Sequence, residues 1–507
     1  MSTSLKDLKN KNIHIVGIGS AEGSAVGEFL ISQGVKSITG HDFSEEKDFE
    51  KIFNNTHLSL KPKERKEALE KLLSSPIKIN YKKDYLRDIE KADIIFVSQV
   101  WFKYPQNLPT LQKLKDKGLP FKTITNLYFE LAPCPIIGIT GANGKTTTAR
   151  LINNIFKIWM KKNDKKAYFA GNDRQNVQVL DKLSEMTKDD VLILEISSTQ
   201  LLLNSKISPH IGVITNITPN HLDDHGSFEN YIEAKKNLIR YQGAGDWAVL
   251  NWDDVQSRKF VKSIKSKAFL FSRKEELEEG CFVKSEKIVI NARDTKRPIG
   301  HLVSSNVICN INDIKIPGGH NLENALAAVS AAFLYGVDLK IIKEGITSYV
   351  GTKHRLKLLY NANGVKYYDD TQATTPEATM KGLDSFGEEI ILIAGGDNKG
   401  MDYRRLAEKI NNKTKLLILL PGNASDEIEK FIDKNKIDFA EVDSFSEAIN
   451  FLKKYLKNKK TPNIQSDARH LYVVLISPAA AHFYSKYVEN SGRSLKEWIK
   501  LVINSEL

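Results

Sequence analysis

The chain is poor in cysteine: Cys134, Cys281 and Cys309 are its only three. They are too few and too scattered for a disulfide framework or a Cys-rich zinc site, and a reducing compartment is the natural reading. Long apolar runs are also missing, and no stretch approaches the ~18 residues that a spanning helix needs. Residues 1–11 are polar and basic with no apolar segment behind them, so no secretory signal is expected and the protein is read as soluble and cytoplasmic. Neither a solenoid-like repeat nor a low-complexity tract is visible. Lys plus Arg (74) against Asp plus Glu (62) leaves a net charge of +12. The basic residues are spread over the whole chain, and the densest runs, 161–166 (KKNDKK) and 453–460 (KKYLKNKK), read as solvated loops or helix ends. Phosphorylated small molecules suit that balance better than nucleic acid, and no nucleic-acid or membrane partner is expected.

What is present is a large globular chain. Its 507 residues suggest about three domains at roughly 150 residues each. With 41% hydrophobic and 27% charged residues, neither a disordered nor a collagen-like chain fits. Short apolar runs recur: Ile13–Gly17, Ile136–Thr140, Gly364–Tyr368, Ile390–Ala394, Leu416–Leu420 and Leu471–Ile476. Helical patterns alternate with them, which predicts an α/β fold with mostly parallel sheets covered on both faces. Boundaries are expected near Pro133–Pro135 and near Gly351, giving domains 1–133, 134–350 and 351–507.

Two glycine turns follow predicted strands. In the first, Gly17-Ile18-Gly19-Ser20-Ala21-Glu22-Gly23, the spacing is one residue longer than the dinucleotide fingerprint. It can still aim backbone N–H groups at an anion, and Asp42 ends the next strand where a ribose or base contact sits. A tight turn with no ligand fits as well. The second, Ile136–Thr148 (IIGITGANGKTTT), is a phosphate cradle. Gly141 and Gly144 let backbone amides approach phosphates, Lys145 supplies a charge, and the Thr146 hydroxyl can ligate Mg²⁺. A strict P-loop has Gly where this chain has Ile139, so the loop is a shortened variant that predicts ATP binding. Downstream, Leu192–Ser198 is an apolar strand ending in Glu195, a candidate metal-binding acid. His221 follows another strand among turn formers and is a candidate ligand. On pattern alone, Lys235 reads as an ordinary exposed helix lysine.

The ordered set ITGANGKTT, LEISS, TNITPNHLDDH with EAKK after it, GGHNLENALAA, GTKHRL, YYDDTQATTPEAT, IAGGDNKG and ISPAAAHF resembles the Mur ligases, from Gly17 to about Gly492. The resemblance implies a Rossmann-like UDP-binding N-terminal domain, a central P-loop ATPase and a Rossmann-like C-terminal domain. It implies a monomeric cytoplasmic enzyme of peptidoglycan precursor synthesis, serving cell wall biogenesis, cell shape and division. ATP and two Mg²⁺ ions would drive amide formation through an acyl phosphate.

The third-domain motifs are most similar to the branch that adds D-glutamate to UDP-N-acetylmuramoyl-L-alanine. Carried over by position, Lys145 resembles the phosphate lysine within a nucleotide site of Gly141, Asn143, Gly144, Thr146 and Thr147. Thr146 and Glu195 resemble ligands of one Mg²⁺, and His221 a ligand of the second. Lys235 matches a lysine that the family carbamylates, and the resulting carbamate would be a metal ligand and make it catalytic with Lys145 and His221. Asn321, Asn324, Arg355 and Asp370 match nucleotide contacts. Gly19, Ser20, Asp42, Asn172 and Ser198 fall on the UDP-sugar substrate side, and Thr374, Lys399 and His482 on the glutamate side.

Three departures stand out. Gly171-Asn172-Asp173-Arg174 replaces the usual GNIG, and Asp370–Pro376 (DTQATTP) replaces Asp-Ser-Lys-Ala-Thr-Asn. His482 stands where a serine normally meets the glutamate carboxylate. The Thr-Thr-Pro-Glu-Ala-Thr ending also resembles a variant branch that adds L-glutamate, which is the alternative. A polyglutamyl ligase and a non-catalytic ATP-binding relative are further readings. The full domain before the P-loop argues against the first, and the joint presence of Lys145, Thr146, Glu195, His221 and Lys235 argues against the second. Trp101–Tyr104 could line a uridine pocket or form a plain apolar loop.

Overall fold

The computed structural model describes residues 8–98, 107–172, 177–203, 206–219, 225–292, 306–398, 400–458 and 472–504. Three sheets carry the fold. The first is five-stranded in the order β3-β2-β1-β4-β5. Its strands are β1 (Asn12–Val16), β2 (Ser37–His41), β3 (Lys78–Asn80), β4 (Ile94–Val97) and β5 (Phe121–Lys122). All pair in parallel. The second is nine-stranded in the order β14-β13-β12-β11-β10-β9-β6-β8-β7. It is built from β6 (Ile136–Thr140), β7 (Ala167–Gly171), β8 (Val191–Glu195), β9 (Ile211–Ile214) and β10 (Trp247–Asn251), then β11 (Lys267–Ser272), β12 (Gly280–Lys284), β13 (Lys287–Asn291) and β14 (Asn306–Asn310). Strands β6 to β11 are parallel, and the β12-β13-β14 edge is antiparallel. The third is six-stranded, β15-β16-β20-β17-β18-β19. Its members are β15 (Lys357–Ala362), β16 (Val365–Asp369), β17 (Glu389–Gly395), β18 (Thr414–Leu420), β19 (Asp438–Glu441) and β20 (Tyr472–Ile476). Only the β15–β16 hairpin in it is antiparallel.

The central strands read as continuous apolar runs because both of their faces are covered. IIGIT of β6 and VLILE of β8 are buried at every residue. No helix of the described residues is long and apolar enough to cross a membrane.

The chain divides into two compact units, residues 1–311 with 323–346, and 312–322 with 347–507. The first unit holds two of the sheets, and the expected boundary near 133 falls inside it. One apolar cluster joins Ile13, Phe29 and Leu127 to Leu194, Leu201 and Tyr231, so the two sheets share a core. Buried polar bonds stitch the same junction. Gln200 Nε2 donates to Glu22 Oε1 at 2.7 Å, and Asn126 Nδ2 donates to the Leu203 carbonyl at 2.9 Å.

The first glycine turn is explained by packing. Helix Ala21–Ser32 starts with Ser20, whose Oγ accepts from Gly23 N at 3.0 Å and donates to Gly17 O at 2.7 Å. The helix lies so close to the strand exit that a Cβ on Gly23 would stand 2.2 Å from Gly17 O. Gly23→Ala must therefore push backbone from backbone, and it is expected to cost about 1–3 kcal/mol. Urea titration should show a lower midpoint at unchanged slope; an unchanged midpoint would mean that the turn has room to spare.

Candidate active site

Strand β6 lies between β8 and β9 inside the nine-stranded sheet, third from its β7 edge. The loop at its C-terminal end therefore opens where parallel sheets place their ligands. Residues 141–144 lead into the helix Lys145–Lys162. Gly144, at its N-cap, has φ +84°, and a Cβ there would sit 2.1 Å from Asn324 Oδ1. Asn324 is buried and its Oδ1 accepts from Thr148 Oγ1 at 3.3 Å, so it packs against the loop from the helix that follows β14.

Two lysines converge on one carbonyl. Lys145 Nζ donates to Gly141 O at 3.0 Å and to Ala142 O at 3.2 Å. Lys235 Nζ donates to Gly141 O at 2.8 Å and lies 4.6 Å from the centre of the Tyr231 ring. Lys235 is only 1% exposed, so its reading as an exposed helix lysine is corrected. The helix Phe228–Arg240 buries Tyr231, Ala234, Lys235, Leu238 and Ile239, and the lysine sits on that apolar stripe. Burial, and then the charge of Lys145, holds the Lys235 amine well below its usual range.

Opposite, Thr146 Oγ1 donates to Glu195 Oε1 at 2.9 Å, with Glu195 buried at the end of β8. Asn172 follows β7 beside it, its N–H donating to Glu195 O at 2.9 Å. Ser198 opens the short helix after β8, and its Oγ lies 3.0 Å from His225 Nε2. Thr147 is half-buried on the first turn of the loop's helix. The structure thus gathers Gly141, Asn143, Gly144, Lys145, Thr146, Glu195, Lys235 and Asn324 around one loop, with Asn172 and Ser198 on adjoining strand ends.

Two further residues hold the loop and were missed in the sequence. Thr215 Oγ1 donates to Asn143 O at 2.6 Å, while Asn216 Oδ1 accepts from Asn143 N at 3.0 Å and its Nδ2 donates back to Asn143 O at 3.1 Å. Both open the TNITPNHLDDH run, where neither is assigned a role, and both leave β9, the neighbour of β6.

In the first sheet, Asp42 is buried, and its carboxylate accepts from Gly19 N at 3.1 Å and from Ser44 N at 3.0 Å. Gly19, Ser20 and Asp42 therefore form one turn. The second unit holds Asn321, whose Nδ2 donates to Pro317 O at 2.7 Å, together with exposed Arg355 and Thr374, buried Asp370, and His482. His221 and Lys399 lie outside the described residues, as do Asp173, Arg174 and Trp101–Tyr104.

Among the described residues there is no group of three or more His, Cys, Asp or Glu able to hold a metal ion. The donor set at the loop nevertheless fits Mg²⁺ on a phosphate chain. A hydroxyl and a carboxylate already touch there, and Mg²⁺ takes few protein oxygens and keeps several waters.

A model of the Mur ligase middle domain matches residues 139–332, and one of the Mur ligase glutamate ligase domain matches 354–464. The chain is similar to a UDP-N-acetylmuramoylalanine–D-glutamate ligase of Acetivibrio thermocellus, 33% identical over 100% of this chain and 99% of the relative. A protein of the same name from Pelotomaculum thermopropionicum is 32% identical over 97% of this chain and 98% of the relative. Among solved structures, a UDP-N-acetylmuramate-alanine ligase from Thermotoga maritima superposes with a TM-score of 0.54 at 18% identity, covering 95% of this chain and 99% of its own. A MurF ligase from the same organism, in complex with ADP, gives 0.53 at 16% identity, covering 98% and 97%. These two likenesses show the fold.

Asp370 offers a test of the second unit. Its Oδ2 accepts from Ser477 Oγ at 2.8 Å and its Oδ1 from Leu356 N at 3.1 Å. Burial, reinforced by neighbouring Asp369, raises its pKa from 3.8 to about 7. Between those values the folded carboxyl is protonated while the unfolded one is ionised. The unfolded state then binds fewer protons, so stability falls as pH rises through that window. Asp370→Asn removes the ionisation and is expected to flatten the fall; an identical slope in urea denaturation across the window would contradict the assignment.

Proposed function

The chain belongs to the Mur ligase family, and on that premise we propose that it adds D-glutamate to UDP-N-acetylmuramoyl-L-alanine, driven by ATP. The observation that carries the reading is the convergence of Lys145, Thr146, Glu195 and Lys235 on the loop after β6. In this reading the substrate carboxylate attacks the γ-phosphate of ATP, giving an acyl phosphate and ADP. The amine of glutamate then displaces phosphate through a tetrahedral intermediate.

The chain's residues divide that work. Loop amides from Gly141 to Thr146 cradle the phosphates, and Lys145 swings from its two carbonyls to the phosphate charge. Asn143 is held by Asn216 and Thr215, so the loop meets the nucleotide already shaped. Asn321, Asn324, Arg355 and Asp370 serve the rest of the nucleotide, and Thr147 extends the phosphate site. Thr146 and Glu195 would hold one Mg²⁺, with His221 and a carbamate on Lys235 at the second. The ions would neutralise charge gathering on phosphoryl and carboxylate oxygens. A buried amine whose neutral form is favoured is also the form that adds carbon dioxide.

Gly19, Ser20, Asp42, Asn172 and Ser198 are assigned to the UDP-sugar, and Thr374, Lys399 and His482 to glutamate. We keep three domains, 1–133, 134–350 and 351–507, as the functional division, and place a monomer in the cytoplasm in the service of wall growth, cell shape and division.

L-Glutamate is the second reading, favoured by His482 and by the Thr374–Thr379 segment. The deciding assay is product formation from UDP-N-acetylmuramoyl-L-alanine, ATP and Mg²⁺ with D- or L-glutamate in parallel, read by mass spectrometry. Product with D-glutamate alone, lost in Lys145→Ala, is expected. Product with L-glutamate alone would install the second reading, and no product with either would remove both.

A further inference from the structure

Strands β16, β20 and β17 are adjacent and parallel, so the three loops that leave them emerge at one edge of the six-stranded sheet. Backbone bonds lace those loops together. Ala479 N donates to Ala373 O at 2.9 Å, and Gly395 N to Pro478 O at 3.1 Å. Asp397 and Ala481 exchange both N–H···O bonds, at 3.1 and 3.0 Å. Within the β20 loop, Ala479 and His482 hold φ of +60° and +61°. Non-glycine residues adopt that left-handed backbone only where the surroundings enforce it, and such positions gather at ligand sites.

The enforced backbone carries the His482 ring to Asp397. Nδ1 lies 3.0 Å from Asp397 Oδ2. A carboxylate only accepts, so Nδ1 carries the hydrogen and Nε2 is the nitrogen left for a ligand. Lys486 Nζ stands 3.7 Å from the other oxygen, Asp397 Oδ1, and Lys486 N donates to His482 O at 2.9 Å. The hydrogen bond from His482, and then the charge of Lys486, holds the Asp397 carboxyl below its usual range. The ring itself is well exposed. A serine offers no ring nitrogen for Asp397 to hold, so the carboxylate–imidazole pair depends on the histidine that stands here.

We propose that Asp397 is a positioning residue for the amino-acid pocket: by accepting from Nδ1–H it fixes the direction of the His482 ring, so that an Nε2–H donor is aimed at a carboxylate of the incoming acidic amino acid. With Asp397 accepting from Nδ1–H and the substrate carboxylate accepting from Nε2–H, the ring donates from both of its nitrogens. This rests on the assignment of glutamate as substrate. It adds that recognition runs through a carboxylate–imidazole pair in place of a hydroxyl.

The test is a double-mutant cycle on Asp397→Ala and His482→Ser, read as KM for glutamate and kcat separately. The single Asp397→Ala should raise KM about tenfold, the loss of one charge-assisted hydrogen bond, and lower kcat much less. In the His482→Ser background the same change should leave KM where it was, because the ring it served is gone. Truncation spares the backbone bridge to Ala481. Asp397→Asn, which keeps an acceptor for Nδ1–H, should fall between wild type and Asp397→Ala, and it serves if the alanine variant does not fold. Equal KM increases in both backgrounds, or none in either, would overturn the positioning role while leaving the ligase intact. A wild-type protein that turns over with no glutamate would overturn both.

Discussion

The hydrogen bond from the buried Lys235 amine to the Gly141 carbonyl is the constraint around which the first unit is organised. A lysine 1% exposed is tolerated only if its head group meets an acceptor and its charge is suppressed. Gly141 O supplies the acceptor. Burial and the neighbouring Lys145 supply the suppression. The same carbonyl receives Lys145, so the two lysines are set by a single peptide group. That peptide can stand there because β6 is an interior strand of its sheet and its exit loop is clamped from β9 by Thr215 and Asn216.

The clamp has a consequence for how the chain divides. The loop, Glu195 and Lys235 come from successive strand exits and a helix of one sheet, but the apolar stripe that buries Lys235 belongs to a core shared with the first sheet. Tyr231 and Leu238 pack in the same cluster as Ile13 and Phe29. The turn that holds Gly19, Ser20 and Asp42 is therefore a part of the same compact unit as the loop after β6. The second unit is built separately around β16, β20 and β17, and its polar groups collect at the strand ends, where Asp370, Ser477 and Thr379 form a buried chain.

Much of this was legible in the sequence. Parallel α/β sheets follow from apolar runs such as IIGIT and VLILE, and the tight turn from β6 into a helix at Lys145 from the glycines of GANGK. Lys235 was not legible as an isolated residue, yet its place between Tyr231, Ala234 and Leu238 puts it on the buried stripe of its helix. The clamping role of Thr215 and Asn216 could not be read from the TNITPNHLDDH run, because strand order, which makes β9 the neighbour of β6, is a long-range property. The boundary near 133 marks the turn from one sheet to the next, but composition cannot report that both sheets share one core. The antiparallel β12–β14 edge was missed for a similar reason: its short strands carry no periodicity that distinguishes hairpin from crossover.

The account stands on Lys235 being a neutral, reactive amine in a closed site. Carbon-13 NMR of the protein equilibrated with labelled bicarbonate tests this directly. One carbamate resonance in the wild type, absent from Lys235→Ala, is the result expected. A spectrum with no carbamate signal, or one equally present in the variant, would contradict the account and return Lys235 to a purely structural role.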